Sequence, residues 1–389
     1  MKLSAARDVL LKPLQAVIGV VERRQTMPIL SNVLLVARDG ELSVTATDLE
    51  VELVARADVD VETGGEITVS GRKLLDICKA LPEGAAVGIS VSGEKVSVKS
   101  GRSKFSLTTL PAAEFPTVED IKAGQTISVP QNILGRLIEK THFSMAQQDV
   151  RYYLNGMLLE TGGAFLRAVA TDGHRLALSQ AEIDGAKLDE QQVIVPRKGV
   201  LELQRLLGDD GNVDIELGPN HVRVQLGGIR FTSKLIDGRF PEYDRVIPQE
   251  SSNELKADKA VFRSALQRTA ILSNEKYRGI RLIIRDSGVV LQAHNPEQEE
   301  AEEELEVEYS GDDIEIGFNV NYLLDAIGAV DGDEVTLSVV DSNSSCLVRE
   351  PGNDGSKFVV MPMRLWEPMG SEAWQFSSSG RKISAVLGK

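Results

Sequence analysis

The chain has 389 residues, of which 42% are hydrophobic and 26% are charged, as in ordinary soluble globular proteins. This length predicts two or three domains rather than one core. The net charge of −15 argues against a protein that coats nucleic acid by bulk attraction, although it allows a local basic face. We expect neither a secretory signal nor a membrane span, because long apolar runs are lacking. Cys78 and Cys346 are far apart, which indicates a reducing compartment and two buried thiols.

Several sequence features recur in the same order at a nearly constant spacing. The segment VTATDLEVEL resembles AVATDGHRLAL, and their Thr-Asp pairs place Asp48 and Asp172 124 residues apart. A basic residue followed by Phe recurs at Lys104, Arg230 and Lys357. Coincidence does not explain features that repeat in one order, so the sequence predicts three copies of one domain.

Each copy is predicted to contain a helix, strands, a second helix and further strands. Apolar residues at helical spacing predict first helices at 7–21, 131–146 and 258–274, and second helices at 70–82, 196–208 and 319–330. Pro13 lies inside the first helical pattern and is expected to kink or restart that helix. Alternating residues such as Leu49, Val51 and Leu53 predict strands. Two amphipathic helices packed on sheets make each copy an α+β domain.

Polar stretches at 120–127 and 248–256 separate regular elements and indicate domain boundaries. We call the three predicted domains repeats 1, 2 and 3. Their predicted ranges are 1–122, 123–250 and 251–365, with a C-terminal extension at 366–389.

Basic residues gather on the exposed faces predicted for these helices. Arg72 and Lys79 share one helical face, as do Arg136 and Lys140. In an acidic protein this distribution predicts a track for phosphate groups, while scattered solubilising charges are the alternative. The set comprises Lys12, Arg23, Arg24, Arg72, Lys73, Lys79, Arg136, Lys140, Arg197, Lys198, Arg205, Lys259, Arg263 and Arg268.

Two short segments each allow two interpretations. The loop AQQDVRYYLNG groups Gln148, Arg151, Tyr152 and Tyr153, which suit contacts with sugar-phosphate or a base, although the tyrosines could instead be buried at the start of a strand. The run EQEEAEEELEVE, from Glu297 to Glu308, contains eight glutamates. It is either a solvated strand edge or an electrostatic docking edge for a basic partner.

The segment VATDGHRL places Asp172 and His174 one glycine apart, which raises the hypothesis of a hydrolase dyad. The matching position of repeat 1 has Asp48 without a histidine, so we interpret the Thr-Asp pair as a turn with side-chain-to-backbone bonds. The sequence has no P-loop, no G-x-S-x-G elbow and no HExxH motif, and its four histidines lack metal-ligand spacing. We therefore predict no catalysis; a scaffold that binds only peptides is a further alternative.

Many segments of the chain resemble the bacterial sliding clamps, the beta subunits of DNA polymerase III. They are RRQTMPILSNVLL, TDLEVEL, AQQDVRYYLNGMLLE, VATDGHRLA, VIVPRKGVLEL, FPEYDRVIP, AILSNEKYRGIRL, NPEQEEAEEE and VVMPMRL. The similarity covers residues 1–365. It implies three α+β clamp domains, each with two helices packed on antiparallel sheets, that form half of a closed ring. Two head-to-tail copies would encircle duplex DNA without reading its sequence and confer processivity without chemistry.

The resemblance also implies residues for three kinds of contact. The DNA-facing set is Arg24, Arg72, Gln148, Tyr152, Tyr153, Arg197 and Lys198. The contact between two copies brings Lys73, Arg102, Lys104, Phe105 and Leu107 against Ile271, Leu272, Glu297, Glu299, Glu300 and Glu303. The groove for partner peptides is Leu154, Thr171, Gly173, His174, Arg175, Leu176, Pro241, Arg245, Val246, Asn319, Tyr322, Ser345, Val359, Val360, Met361, Pro362, Met363 and Arg364.

Partners of the groove implied by the resemblance are proteins of replication and repair. They are the delta subunit of the ATP-dependent clamp loader, the polymerase alpha subunit, translesion polymerases, mismatch-repair proteins, ligase and the initiation regulator. The resemblance implies no cofactor, no metal and no membrane contact, and a cytoplasmic location at the nucleoid.

The chain departs from the family at its end, since such clamps usually stop at MPMRL. Residues 366–389 follow, and both tryptophans of the chain, Trp366 and Trp374, lie there. This extension is either disordered or a non-native remnant, or its apolar residues occupy the groove from which it leaves.

Overall fold

The computed structural model describes residues 1–21, 27–118, 124–248, 253–286 and 288–364. Arg23, Arg24 and the extension at 366–389 lie outside the described residues. Within the described part, each repeat contains two helices and two groups of antiparallel strands. Each of the six helices begins directly after a strand, as the repeated sequence pattern predicts.

Repeat 1 begins with a strand and a helix that buries one apolar face. Leu10, Leu14 and Val17 are buried at helical spacing. The helix continues through Pro13, so of the two predicted outcomes, a kink or a restart, the restart does not occur. The elements are β1 (Lys2–Ala6), α1 (Arg7–Val17), β2 (Asn32–Arg38), β3 (Glu41–Thr47), β4 (Val51–Asp58), β5 (Asp60–Thr63), β6 (Gly65–Ser70), α2 (Gly71–Ala80), β7 (Ala86–Ser92), β8 (Lys95–Ser100) and β9 (Ser103–Leu110).

Repeat 2 has the same order of helices and strands. Its first helix buries Leu134, Leu137 and Ile138, the apolar positions that predicted it. The elements are β10 (Gln125–Pro130), α3 (Gln131–Thr141), β11 (Gly156–Gly163), β12 (Phe165–Thr171), β13 (Arg175–Glu182), β14 (Leu188–Pro196), α4 (Arg197–Leu206), β15 (Asn212–Leu217), β16 (His221–Leu226) and β17 (Ile229–Lys234).

Repeat 3 contains the two helices whose first residues are capped by a side chain. Asp258 accepts a hydrogen bond from the backbone N–H of Val261, and Asn319 accepts from that of Asn321. The elements are β18 (Glu254–Asp258), α5 (Lys259–Thr269), β19 (Gly279–Arg285), β20 (Gly288–His294), β21 (Glu300–Glu306), β22 (Glu308–Ser310), β23 (Ile314–Asn319), α6 (Val320–Gly328), β24 (Glu334–Ser338), β25 (Cys346–Arg349) and β26 (Ser356–Val360).

Sheets continue from one repeat into the next. The last strand of repeat 2, β17, pairs with β4 of repeat 1 and completes a 13-stranded sheet. The last strand of repeat 3, β26, pairs with β13 of repeat 2 in a nine-stranded sheet. In the four-stranded sheet of repeat 3, β21 stands at the edge and pairs only with β20. The two junctions are therefore built in the same way, and β21 is the corresponding strand without a pairing partner on its outer side.

The helices cover the inner faces of these sheets and bury both cysteines. Leu10, Leu74 and Ile89 are nearly inaccessible, and burying one such side chain contributes about 2 kcal/mol. Burial raises the pKa of Cys78 to about 11 and that of Cys346 to about 12. Both thiols are therefore protonated at neutral pH, and their predicted burial is confirmed.

Candidate functional site

The turn between β12 and β13 is held by its own Thr-Asp pair. Asp172 Oδ1 accepts hydrogen bonds from the backbone N–H groups of His174 (2.9 Å) and Arg175 (3.0 Å). Thr171 Oγ1 accepts from Gly173 N (3.1 Å) and donates to Arg175 O (2.6 Å). Asp172 Oδ1 therefore accepts from backbone N–H groups and not from the imidazole of His174. This confirms the interpretation of the Thr-Asp pair as a turn, and it removes the basis of the hydrolase hypothesis.

Arg175 connects this turn with repeat 3. Its guanidinium donates to Asp172 Oδ2 (3.1 Å) and Asp325 Oδ2 (2.5 Å), and to the backbone oxygen of Phe143 (2.6 Å). It also lies 4.5 Å from the ring centroid of Tyr322 on α6. With a side chain that is 14% exposed, Arg175 fastens the two repeats where they meet.

The junction of repeats 2 and 3 has an apolar floor. Leu176 on β13 faces Val359 on β26, and the backbone N–H of Met361 continues the ladder to His174 O (2.9 Å). Further along, Met363 N donates to the backbone oxygen of Gly317 (2.8 Å). The floor and the residues packed against it are Leu158, Val169, Leu176, Leu178, Ile194, Phe240, Tyr243, Leu347 and Val359, with Tyr153, Ile236, Val246 and Ile247 partly buried.

The start of α6 forms the repeat 3 side of this junction. Asn319 caps the helix, and its Nδ2 donates to Tyr277 O (3.3 Å). Burial first, and the negative charge of Asp172 second, raise the pKa of Tyr322. The phenol is therefore neutral at physiological pH and can donate or accept a hydrogen bond at the edge of the floor.

The remaining predicted groove residues differ in exposure. Leu154 is buried, and Val360 is buried opposite Arg175. Pro362 and Ser345 are partly exposed, whereas Pro241 and Arg364 are exposed. Arg245 is also exposed, although its guanidinium lies 2.8 Å from a carboxylate oxygen of Glu242. The structure thus places the predicted residues around one junction, some as floor and some as rim.

Arg151 borders the same turn, although the predicted groove set omits it. Its guanidinium donates to Asp149 (3.0 and 2.9 Å) and to the backbone oxygen of Asp172 (3.2 Å). Hydrogen bonds from the side chain and backbone of Arg151 lower the pKa of Asp149 to about 2. A Cβ atom on Gly173 would come within 2.9 Å of this guanidinium. The short Asp149–Arg151 spacing was the signal in the sequence that could have identified it.

The predicted DNA-facing residues fall into two groups. Gln148 is exposed, Tyr152 is 57% exposed, and the ring of Tyr152 packs edge-on against that of the half-buried Tyr153. Arg72 instead donates to the backbone oxygen of Val21 (2.6 Å).

Two further members of the set also bind protein groups. Arg197 donates to the backbone oxygens of Met145 (3.4 Å) and His142 (3.5 Å), and burial lowers its pKa. Lys198 pairs with Asp48. The exposed loop at 148–152 is thus more accessible to DNA than these cations, and Arg24 lies outside the described residues.

Other members of the predicted basic track connect repeats. Lys140 is 5% exposed and bonds to Ala329 O and Asp331 of repeat 3, so its predicted exposure is wrong. Arg205 donates to Ala16 O (2.6 Å) at the end of α1 in repeat 1. These cations bond to backbone oxygens near the ends of helices, where carbonyl groups lack partners within the helix.

The predicted contact between copies combines one exposed apolar residue with acidic neighbours. Ile271 is 75% exposed beside β21, and Phe105 and Leu107 on β9 are partly buried. Glu303, assigned to this contact, already pairs with Arg268 of its own chain. The other assigned residues are Lys73, Arg102, Lys104, Glu297, Glu299 and Glu300, which are exposed, and Leu272, which is partly exposed.

Within the described ranges, no group of three or more His, Cys, Asp or Glu residues is arranged to hold a metal ion. None of the helices found there is both long and apolar enough to cross a membrane. Small apolar cavities lie inside repeats 1 and 2, lined for example by Leu10 and Leu74 and by Leu134 and Val200, away from the junction described above.

Family models for the beta subunit of DNA polymerase III match the chain in three parts: the N-terminal domain at 1–119, the central domain at 128–242 and the C-terminal domain at 244–364. The beta sliding clamp of Pseudomonas aeruginosa is 57% identical over 367 residues, which cover 94% of this chain and 100% of that protein. The beta sliding clamp of Escherichia coli K12 is 51% identical over the same shares of both chains.

A solved structure of the Pseudomonas aeruginosa clamp bound to griselimycin has a TM-score of 0.91 and 57% identity, and the similarity covers 94% of this chain and 100% of that one. Together with the three matched domains, this similarity confirms the fold that the resemblance implied. The chain belongs to the family of DNA polymerase III beta subunits, the beta sliding clamps, which are non-catalytic processivity subunits of the polymerase.

Proposed function

We propose that this processivity clamp binds its partner proteins at the junction of repeats 2 and 3. The observation that supports it most is the apolar floor of Leu176 and Val359, which is bordered by Tyr322 and by the methionines Met361 and Met363. Unbranched methionine side chains adapt to differently shaped ligands, and a few polar groups fix their orientation. We call this surface the partner groove.

The partner groove suits short peptides with apolar side chains. We propose as partners the polymerase alpha subunit, the delta subunit of the clamp loader, translesion polymerases, mismatch-repair proteins, ligase and the initiation regulator. We propose that griselimycin, to which the similar Pseudomonas aeruginosa clamp is bound, also binds this surface, and we use it as the probe.

A second proposal concerns how two copies close the ring. Phe231 on β17 and Phe358 on β26 each follow a basic residue in the strand that joins the preceding repeat. Phe105 on β9 has the same setting, and most of β9 pairs only with β8, since β6 meets its last two residues alone. We propose that β9 of one copy pairs with β21 of the other, which repeats the construction of both internal junctions.

The DNA contact is proposed at the exposed loop that includes Gln148 and Tyr152. Neutral and aromatic groups make contacts with sugar-phosphate that are weak and interchangeable, as sliding requires. Retention on DNA then depends on the closed ring rather than on affinity. We also propose a cytoplasmic location at the nucleoid, because a clamp that encircles DNA acts where the DNA lies.

Substitution of a rim residue tests the partner groove. We expect Met361→Ala to raise the Kd for griselimycin about tenfold, because part of the apolar wall is lost. Binding is measured by isothermal titration calorimetry on the full chain. Met27→Ala, at a residue that is 42% exposed in repeat 1, is the matched control and should bind as the unchanged protein does. Equal affinity of all three proteins would contradict the groove.

Introduction of a charge tests the contact between copies. We expect Ile271→Asp to convert the dimer into a monomer, because a carboxylate would be buried without a partner at an apolar contact. Native mass spectrometry measures the outcome. Val261→Asp, at a residue that is 53% exposed on α5, is the control and should remain dimeric. A dimer that survives Ile271→Asp would contradict the proposed contact.

A further inference from the structure

We propose that Tyr243 is a positioning residue that holds one wall of the partner groove in its binding shape. Tyr243 begins the short 3-10 turn Tyr243–Arg245. Pro241, Arg245 and Val246, next to it in the chain, belong to the predicted groove set, and we call the segment 241–246 the wall. This inference rests on the proposed groove, and it adds a residue whose polar group faces away from the ligand.

The phenol group of Tyr243 joins this wall to the strands beneath it. Tyr243 is 4% exposed. Its hydroxyl donates to Glu160 Oε2 (2.5 Å) on β11 and accepts from Arg167 Nη1 (2.7 Å) on β12. One hydroxyl therefore makes two charge-assisted hydrogen bonds, which are stronger and more directional than bonds between neutral groups.

Both partners of the phenol are themselves fixed. Gln192 Nε2 donates to Glu160 Oε1 (2.9 Å). Arg167 donates twice to Gln180 Oε1 (2.9 and 2.5 Å) and lies 4.8 Å from the ring centroid of Phe165. Side chains from four adjacent strands thus hold Glu160 and Arg167 in place through contacts that do not involve the wall.

The charge state of this cluster favours the same arrangement. Burial opposes the ionisation of Glu160, but hydrogen bonds from Tyr243 and Gln192 and the charge of Arg167 outweigh it and lower the pKa of Glu160. Burial, and next the hydrogen bond to Glu160, raise the pKa of Tyr243. At neutral pH the carboxylate is therefore ionised and the phenol keeps the proton that it donates.

The ring and the hydroxyl of Tyr243 have separable tasks. The ring packs in the apolar floor, with its centroid 6.4 Å from that of Phe240, and such contacts are non-directional. The ion pairs of Glu242 with Arg239 and Arg245 are exposed at the surface and hold the wall weakly. The hydroxyl bonds are thus the contacts that fix where the wall stands relative to the floor.

Tyr243→Phe in the full chain removes the hydroxyl and keeps the ring. If only a fraction of molecules then has the wall in place, the griselimycin association rate should fall about fivefold while the dissociation rate is unchanged. Hydrogen exchange of the Val246 amide, which bonds to Tyr243 O (2.9 Å), should become faster, whereas amides of β11 and β12 should not change.

Two further variants separate positioning from general stabilisation. Tyr309→Phe removes an exposed phenol bond to Asp312 O in repeat 3 and should leave griselimycin kinetics unchanged. Glu160→Gln keeps an oxygen that accepts from Tyr243, so it should retain an association rate within about twofold of the unchanged protein.

The outcomes distinguish this inference from the proposed groove. A slower association rate with faster local exchange in Tyr243→Phe supports the positioning role. Unchanged griselimycin kinetics in Tyr243→Phe overturn it, whatever happens to the melting temperature. If Met361→Ala weakens binding while Tyr243→Phe does not, the groove stands and the inference fails; if neither does, both fail.

Discussion

The two junctions between repeats share one kind of turn but differ in the residues that are buried beside it. In repeat 1, Asp48 Oδ1 accepts from Glu50 N (2.9 Å) and Val51 N (2.7 Å), as Asp172 does in repeat 2. Thr47 Oγ1 accepts from Leu49 N (3.1 Å) and donates to Val51 O (2.9 Å), which matches Thr171. The chain that joins each turn from the following repeat binds it at the same place. Lys234 N donates to Glu50 O (2.8 Å) and Met361 N donates to His174 O (2.9 Å), and each acceptor is the fourth residue of its turn.

The floors differ at one equivalent position. Leu176 of the second junction corresponds to Glu52 of the first, and both are almost completely buried. Glu52 accepts from Val118 N (3.0 Å) and lies 3.7 Å from Arg230 of repeat 2. The carboxylate ties the last part of repeat 1 onto the place where the second junction has an apolar floor. The equivalent position thus holds a paired carboxylate at the first junction and an apolar side chain at the junction proposed to bind partner peptides.

The two junctions should differ most in the free energy of unfolding that is lost when the cation bound to each turn is removed. We expect Arg175→Ala to lower the free energy of unfolding by about 3 kcal/mol, because two carboxylates and a partly buried carbonyl lose their donor. Lys198→Ala, at the cation that pairs with the turn of the first junction, should cost less, about 1 kcal/mol. Asp48 loses one donor there but keeps its bonds from Glu50 N and Val51 N. Urea denaturation measures both, and equal losses would contradict the comparison.

Exchange of the floor residue should have the next largest effect. Glu52→Leu leaves Val118 N–H and Arg230 without a partner and should cost about 2 kcal/mol. Glu66→Leu is the matched control, because Glu66 is 3.7 Å from Arg38 in an exposed pair, and it should cost about 0.5 kcal/mol or less. The double variant Glu52→Leu with Arg230→Leu should recover part of the loss in urea denaturation.

The third residue of each turn gives a smaller effect. Gly173 has φ +88° and faces Arg151, so Gly173→Ala should cost about 1 to 2 kcal/mol and weaken griselimycin binding. Gly84→Ala, at φ +67° with open space around it, is the control for backbone strain alone. A loss of binding in the control as well would show that the contact with Arg151 is unimportant.

The smallest effect is expected at the equivalent residue of repeat 1. Leu49 has φ +79° and is 39% exposed, so Leu49→Gly relieves backbone strain but increases the entropy of the unfolded chain. We expect a gain of about 0.5 kcal/mol in thermal denaturation. Any loss would mean that contacts of the leucine side chain outweigh the strain.

The sequence predicted the repeats and all six helices, but it placed the ends of several helices too late. The predicted helices run past Thr141 and Thr269 into residues that form short 3-10 turns instead, and Ala270–Leu272 buries none of its side chains. Period-two alternation shows which face of a strand is buried and not which strand pairs with it. The pairing of β17 with β4 was therefore outside what the pattern predicts.

The site was predicted best where it depends on local residues. The Thr-Asp turn bonds follow from residues within four positions of each other, and the structure confirms them. Lys140 was misassigned because a cation on a helical face indicates exposure, whereas its partner Asp331 is 191 residues away. Tyr243 was missed for the same reason, since its partners Glu160 and Arg167 lie on strands far away in the chain.

The acidic edge strand β21 has a consequence for how copies of the chain can assemble. An uncovered edge of a sheet tends to pair with its own kind, which leads to symmetric dimers or aggregates. Glu300, Glu302, Glu304 and Glu306 are all exposed along β21, so two such edges repel each other. The first part of β9 is flanked by Arg102 and carries Lys104. Repulsion between like edges therefore selects against tail-to-tail pairing and leaves head-to-tail closure as the favoured polarity.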